Sequence, residues 1–532
     1  MKIKFDTIFL FFFYLLLFSY LLYNSFSYLD PDFGWHLRVG EQIWLEKAVP
    51  HLEYYNYTLE GKTWVDHEWF LNLITFFIYS HFGYIALNFL FAFLILTTLI
   101  ILNIFIKKYF TKDGNASLFI LFFQAFGIIA MSPHIGVRMQ EITVLNLAIL
   151  LIILYTYNQT KKLSIIFWLI PLFYFWACAH AGFLIGIFLL FLWLTINIIK
   201  TILKKYSTKF YYLNLDSALS FKELNKAFLI IILTIISTTL TPYGLKLYSF
   251  LSEYASNTYY LTHIKEWLPI YYFSLNYYQI FYLAIASSFF ILYLYFAFTQ
   301  KQSNKIDLWN SCLFVLFFIL AIKSRRHFPL FFVASFPLVI NFLTNYFSTL
   351  KIDLSNLSRL AKTYLILTLF FASSLFVVET NFTNNPFTNH KFCQRYPCAA
   401  VKFIKNNHQY NKLKIFNEYG WGGFLIWVWP EKKLFIDGRL PQYKFAEHTM
   451  LEEYNEFFTK EKVKNKLEQH NIKLVLLSKP RPIKLNWLER FVFSFDENKL
   501  KNPTNNLINY LGKSLEWKQI YEDKNSYVYL KQ

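Results

Sequence analysis

Residues Tyr28–Gly40 read Y-L-D-P-D-F-G-W-H-L-R-V-G, and the same segment closes at Trp64–Trp69 with W-V-D-H-E-W. The stretch follows directly on the apolar run Ile8–Tyr23, and it gathers Asp30, Asp32, His36, Arg38, Asp66, His67 and Glu68 among aromatic side chains. Long apolar segments resume after it. Ionisable groups set between membrane-length apolar segments are costly, and their presence points to function. The expected architecture is therefore an α-helical polytopic membrane protein whose first connection, residues 28–83, is a catalytic loop at the outer membrane surface.

Composition supports the class. Of 532 residues, 56% are hydrophobic, 22% aromatic and only 16% charged, well outside the range of a soluble domain. Lys2 and Lys4 precede the first apolar run and no small-residue cleavage site follows it, so a retained helix is expected rather than a removed signal. The formal charge of +19 is what cytoplasmic loops rich in Lys and Arg produce, and it does not call for nucleic acid as a partner. Cys178 and Cys312 sit in apolar segments, whereas Cys393 and Cys398 form a C-x4-C pair in a polar stretch. Without a second cysteine or histidine pair that spacing is weak evidence for metal, and export leaves a disulfide open.

Phe70–Tyr79 is too short to cross a bilayer and reads as an interfacial or re-entrant helix. Spanning candidates follow at 84–106, 116–131, 141–157, 163–178, 183–199, 227–241, 276–298, 308–322, 328–347 and 363–379, which with the first helix makes about eleven. Threading them with the N-terminus in the cytoplasm puts Lys107, Lys108, Lys112, Lys161, Lys162, the Lys200–Lys226 loop, Lys301, Lys305, Lys351, Arg359 and Lys362 inside. A full crossing at Phe70–Tyr79 would turn all of them outward. The chosen threading leaves the 28–83 loop, Ser132–Glu141, His180, Thr241–Pro269 and Lys323–His327 on the outer side, lining one outward-facing cavity.

The expected domains are 1–380 in the membrane, including the outer loop, and 381–532 as an extracytoplasmic α/β domain. In the latter, Leu413–Asn417, Phe424–Val428, Leu434–Ile436, Leu474–Leu477 and Tyr527–Leu530 read as strands and Leu451–Gln469 as a helix. Y-G-W-G-G at Tyr419–Gly423 lacks the spacing of a dinucleotide loop and reads as a tight turn, so no nucleotide cofactor is expected.

Asp30-Pro31-Asp32 places two carboxylates around a residue of fixed φ. Such a pair can hold a divalent cation, Mg or Mn, through oxygen ligands, or supply a general base; Asp and Pro are also ordinary residues after a helix end. His36, Asp66, His67 and Glu68 are zinc-ligand types without a fixed ligand spacing, and binding of substrate hydroxyls is the stronger reading. Arg138, Arg325 and Arg326 lie on the side where the positive-inside bias disfavours cations. Their planar forks match phosphate oxygens, though lipid headgroups or ion pairs would also place them there. His180, His263 and His327 are weaker candidates. Glu266 either pairs with an arginine or orients an acceptor hydroxyl.

The first loop, together with V-R-M-Q at Val137–Gln140, W-A-C-A-H-A-G at Trp176–Gly182, T-P-Y-G-L at Thr241–Leu245, E-W-L-P at Glu266–Pro269, S-R-R-H-F-P at Ser324–Pro329 and the run Asn417–Arg439, resembles the C-type membrane glycosyltransferase superfamily. More closely it resembles a little-characterised bacterial branch, related to protein O-mannosyltransferases, aminoarabinose transferases and oligosaccharyltransferases. The resemblance implies a polyprenyl-phosphate sugar donor, with Asp30 or Asp32 as the acidic loop residue near the reacting centre. The expected function is inverting transfer of a sugar to an unknown glycan, lipid or protein acceptor at the outer face of the inner membrane. Substrate contacts are expected from His36, Arg38, Asp66, His67, Glu68, Arg138, His180, Glu266, Arg325, Arg326 and His327. The alternatives are a lipid or polysaccharide transporter, which calls for ionisable groups at several bilayer depths, and a non-catalytic envelope-assembly protein.

Overall fold

A computed structural model describes residues 5–110, 116–206, 210, 212–299, 305–346, 357–445, 447–497, 500 and 504–532. Lys2, Lys4, Lys112, Lys301 and Lys351, invoked above for topology, lie outside the described residues. The chain is mostly helical. It divides into two compact units: Met1–Ser27, Asn88–Leu245 and Glu266–Asn381 form unit 1, and Tyr28–Leu87, Lys246–Lys265 and Phe382–Gln532 form unit 2. The first connection, assigned above to residues 1–380, therefore packs instead with the C-terminal region in unit 2.

Seven helices among the described residues are long and apolar enough to cross a membrane: Phe5–Ser25, Trp69–Tyr109, Glu141–Thr160, Phe183–Lys204, Tyr277–Thr299, Arg325–Asn345 and Arg359–Glu379. Three further apolar helices, Leu118–His134, Leu163–Ala179 and Leu308–Lys323, are shorter. Phe221–Thr238, which overlaps another expected span, opens on the charged turn Lys222, Glu223 and Lys226.

Burial separates the roles of these helices. The apolar window of Arg325–Asn345 is 83% buried, so this helix lies in the core of unit 1. That of Arg359–Glu379 is 6% buried, with Leu360, Tyr364, Leu367, Phe370, Phe371, Leu375 and Val378 exposed. A helix apolar all round and so little covered by protein is suited to lipid as its solvent. It rests on Phe5–Ser25 through the ring pairs Phe12–Phe370 and Tyr20–Phe376. One buried polar chain links three of these helices: Asn103 donates to the Tyr14 hydroxyl, Tyr14 to Gln124 Oε1, and Gln124 Nε2 to the Leu99 carbonyl. Such pairing is what hydrocarbon surroundings demand.

In unit 2 the segment read as interfacial begins the run Trp69–Tyr109, and the helix breaks at Gly83, where φ is 76° and ψ is −177°. A side chain there would meet both an unfavourable backbone region and the Asn384 amide. Asn384 also accepts the Tyr84 N–H through its carbonyl, at 3.2 Å.

The strands of unit 2 are β1 Ile415–Asn417, β2 Lys444–Phe445, β3 His448–Thr449, β4 Leu474–Ser478, β5 Trp517–Glu522 and β6 Ser526–Lys531. β1, β4, β6 and β5 form one sheet in that order, and β2 pairs with β3. Only the β1–β4 pair is parallel in the larger sheet. Leu474–Leu477 in β4 are all buried, as a central strand covered on both faces requires.

Three sequence expectations change here. Phe424–Val428 is helical, within Gly422–Val428. Leu434–Ile436 makes a single bridge, from Leu434 to Asn56. The helix expected at Leu451–Gln469 is two short ones, Met450–Glu456 and Val463–Gln469.

Candidate functional site

The Asp-Pro-Asp turn of unit 2 links the first helix to a second one, Phe33–Glu46. Asp30 is nearly buried and its Oδ1 accepts the Asp32 N–H at 2.9 Å, so the first carboxylate folds back over the turn. Asp32 occupies the N-cap position, but its side chain does not cap the helix. It lies instead against Gly438, where any Cβ would overlap its carboxylate. Tyr396 donates its hydroxyl to the Leu29 carbonyl at 2.8 Å and anchors the entry to the turn. Burial, then the neighbouring Tyr28, Asp30 and Asp32, keeps the Tyr396 hydroxyl protonated far above the usual range.

The glycines of Y-G-W-G-G have a different task from the one read in the sequence. Tyr419–Trp421 is a short 3-10 turn, and the glycines after it allow close approach. Gly423 faces the Pro31 carbonyl and the Asp32 α-carbon, Gly34 faces the Gly423 carbonyl, and Gly422 faces Asp437. The Asp-Pro-Asp turn is thus held by backbone-to-backbone contact that any side chain would push apart.

The other ionisable groups of the first loop are held by neighbouring protein groups. His36 Nδ1 lies 2.6 Å from Asn72 Oδ1, and Asn72 Nδ2 donates to Asp66 Oδ2 at 2.8 Å. Asp66 is fully buried, and burial outweighs its hydrogen bonds from Asn72 and the Glu68 N–H, pushing it up to about 6. Arg38 pairs with Glu41, donates to the Trp427 carbonyl at 3.2 Å and lies over the Trp427 ring. His67 packs against Phe250, with its Nε2 at 3.8 Å from Glu68. Glu68 is also 4.0 Å from His36. Among the described residues, no three of His36, Asp66, His67 and Glu68 bring ligand atoms together. The same holds for Asp30 and Asp32 with any third such group.

Sequence reading missed a buried cluster in unit 2. Arg439 donates through Nε to Asp437 Oδ1 at 2.9 Å and through Nη2 to Oδ2 at 2.6 Å, and pairs with Glu53 at 2.8 Å. Its guanidinium lies 4.7 Å from the Tyr55 and Trp64 ring centres. Asn56 also donates to Asp437, at 2.6 Å. Burial raises Glu53 against the pull of Arg439, while Asp437 and Glu53 overcome burial and keep Arg439 charged. D-G-R at Asp437–Arg439 was visible in the sequence; nothing there announced Glu53 as its partner.

One histidine and carboxylate group, His448, Glu453 and Glu456, has ligand atoms close enough for a metal ion. Lys466 Nζ already bridges Glu453 and Glu456 at 2.8 and 2.7 Å, and His470 Nε2 is 2.6 Å from Glu453. Burial of Glu453 is outweighed by His470, Lys466 and His448, which hold it at about 2. This is a closed ion-pair network.

Unit 1 has a different kind of cluster, built from the connections at Ser132–Glu141, Glu266–Pro269 and Ser324–His327. Arg138 Nη2 donates to Glu266 Oε1, and Arg326 Nη1 donates to Oε2 at 3.4 Å. Burial opposes the charge on Glu266, but Arg138 and Arg326 prevail and hold it at about 2, although a third of its side chain remains exposed. Arg138 also donates to the Pro133 carbonyl at 3.2 Å, and Arg326 lies over the Trp267 ring.

Arg325, expected beside a phosphate, instead spends Nη1 on the Ser274 carbonyl and Nη2 on those of Pro269 and Tyr272, at 3.0–3.2 Å. These bonds fasten the connection. His327 lies edge-on to Trp267. His180 Nδ1 accepts the Gly182 N–H at 2.9 Å and lies 2.9 Å from the Thr143 hydroxyl, which accepts Trp176 Nε1–H at 3.0 Å. Thr143 therefore donates to Nδ1, and a neutral His180 carries its proton on Nε2.

His134 was overlooked within its connection. It is 5% exposed, and both ring nitrogens are buried without a hydrogen-bond partner in the structure. Arg138, Glu266, Arg326 and Arg325 are its charged neighbours. Neither a family model nor a curated protein matches the chain.

Proposed function

We propose that the chain is a C-type membrane glycosyltransferase, moving a sugar from a polyprenyl-phosphate donor to an acceptor at the outer face of the inner membrane. The observation that carries this reading is the unit 1 cluster, where Arg138 and Arg326 share Glu266 beside the unsatisfied ring nitrogens of His134. A phosphate joined to a lipid fits that chemistry: guanidinium forks match its oxygens, and the apolar helices supply surroundings for its tail.

In this reading Arg138 and Arg326 hold the donor phosphate and stabilise the charge that develops there as the bond between the anomeric carbon and the phosphate oxygen breaks, with the bonding electrons leaving on phosphate. Asp30 or Asp32 takes the acceptor hydroxyl proton as the new glycosidic bond forms. Attack opposite the leaving phosphate inverts the anomeric centre. Asp30 and Asp32 would also suit Mg or Mn, ions that bind through one or two carboxylates and complete their shell with phosphate oxygens and water, lowering the charge on the phosphate.

About eleven crossings, with the N-terminus inside, complete the topology when Phe221–Thr238 and the three shorter apolar helices also span. The Cys393–Cys398 disulfide supports an oxidising, extracytoplasmic side for unit 2.

The test is mass spectrometry of polyprenyl-phosphate sugars and surface glycans in cells with and without the protein. Loss should accumulate a lipid-phosphate sugar and remove the sugar from an acceptor. Purified protein that relocates labelled lipid without changing any mass would make it a transporter and end the transferase reading.

A further inference from the structure

The connection between β4 and β5 presents a surface that neither the core of unit 2 nor the carboxylate turn uses. It reads R-P-I-K-L-N-W-L-E-R-F-V-F from Arg481 to Phe493 and contains the short helix Trp487–Phe491. A reciprocal cap fixes the helix start: Asn486 Oδ1 accepts the Glu489 N–H at 3.0 Å, and Glu489 Oε2 accepts the Asn486 N–H at 2.9 Å. Leu485 and Glu489 turn inward and are buried.

The outward side is apolar. Trp487 is 65% exposed, Leu488 37%, Phe491 72% and Val492 59%. The segment is nevertheless firmly held. Glu497 accepts from the Leu485 N–H at 3.1 Å and from Arg490 Nη2 at 2.7 Å, and the N–H groups of Phe493 and Phe495 return to the carbonyls of Leu488 and Glu489. A protein surface in water rarely holds so many large apolar groups rigidly together without something to bury them.

Composition names the occupant. Tryptophan, phenylalanine and leucine side by side, rimmed by exposed Arg481, Lys484 and Arg490, form the pattern of an interfacial segment: the aromatics enter the headgroup and acyl boundary, and the cations meet anionic headgroups. Glu489, the acidic side chain inside the patch, is consumed by the cap. The bilayer that the apolar helices require is the one large apolar surface this chain always has at hand. We propose that residues 485–493 are a membrane-interface anchor, through which unit 2 inserts Trp487, Leu488, Phe491 and Val492 into an anionic leaflet. The proposal is independent of the transfer reaction.

The full-length protein, with Cys178 and Cys312 changed to alanine, would carry one nitroxide at Leu488→Cys or, as a control, at exposed Lys518→Cys. In nanodiscs of phosphatidylethanolamine and phosphatidylglycerol, power saturation should show residue 488 exposed to oxygen and shielded from a nickel chelate, with residue 518 the reverse. Trp487→Ser with Phe491→Ser changes exposed side chains only, so the thermal midpoint should hold while the 488 label becomes accessible to nickel. Nickel access at 488 in the parent protein would overturn the anchor. Shielding from both reagents would also overturn it, because the patch would then be covered by protein.

Discussion

The two clusters of ionisable groups differ in the balance of their charges, one arginine between two carboxylates in unit 2 and two arginines on one carboxylate in unit 1. In unit 2, Arg439 is enclosed by Asp437, Glu53 and two aromatic rings, and Asp66 is held by Asn72. In unit 1, two guanidiniums share one carboxylate beside a histidine whose nitrogens are unsatisfied. An arginine held between two buried carboxylates is suited to fasten the fold. Two guanidiniums on one carboxylate leave an excess of positive charge that is suited to receive an anion. Asp30 and Asp32 lie outside the arginine cluster of unit 2, in a turn held by glycine contacts.

The largest expected effect breaks the comparison at that turn. Asp30→Asn and Asp32→Asn preserve shape, and at least one should lower turnover by roughly 10²–10⁴-fold, the range for a positioned acid or base, with normal amounts of folded protein. Chelation that reproduces the loss would assign the carboxylate to a cation. Full turnover in both variants would remove the turn from the chemistry and make Asp66 and Glu68 the next carboxylates to change.

Arg439→Met tests whether the unit 2 network is scaffold. Removing the cation leaves two buried carboxylates, and the loss of stability should be about 3–5 kcal/mol, read as a lower thermal midpoint in detergent. A midpoint unchanged from the parent would mean that the cluster is not holding unit 2 together.

Adjacent arginines sharpen the contrast further. Arg326→Gln should leave the midpoint close to the parent and weaken use of the lipid-phosphate donor by roughly ten- to hundredfold, since a charge-assisted contact contributes about 1.5–3 kcal/mol. Arg325→Gln should lower the midpoint instead, because three carbonyls lose their donor. The same phenotype from both would erase the distinction drawn between them.

The smallest effect is one of pH. Burial raises Asp66 from 3.8 to about 6, so the folded state holds this proton more tightly than the unfolded chain does. Its contribution favours folding below about pH 4 and is lost as pH rises through about 6. Asp66→Asn should therefore flatten the dependence of the thermal midpoint between pH 4 and 6.5, and an unaltered slope would assign that dependence to other groups.

Much of this was legible in the sequence, for identifiable reasons. Apolar helices announce themselves by length and composition, and β4 by its run of buried aliphatics. Phe424–Val428 was misread because a short apolar run does not distinguish a buried strand from a helix. β5 escaped because W-K-Q-I-Y-E is an edge strand with exposed Lys518 and Gln519, lacking the buried pattern that marks its neighbours. At the sites, residue types and placement between apolar segments singled out Asp30, Asp32, Arg138, Arg325 and Arg326 as candidates. Glu266 was left between two roles until its partners were seen. The Glu53–Arg439 pair spans 386 positions and His134 sits in a connection without a motif, so neither could be found without the fold.

The proposed division between a phosphate-holding cluster and a catalytic turn is tested most directly by binding without turnover. Native mass spectrometry of the full-length protein in nanodiscs, with polyprenyl phosphate lacking any sugar, would compare the parent with an Arg138→Gln and Arg326→Gln double variant and with Asp32→Asn. The account predicts that the parent and Asp32→Asn retain the lipid equally and that the double variant loses at least tenfold in affinity. Equal retention by all three, or equal loss in Asp32→Asn and the double variant, would contradict it.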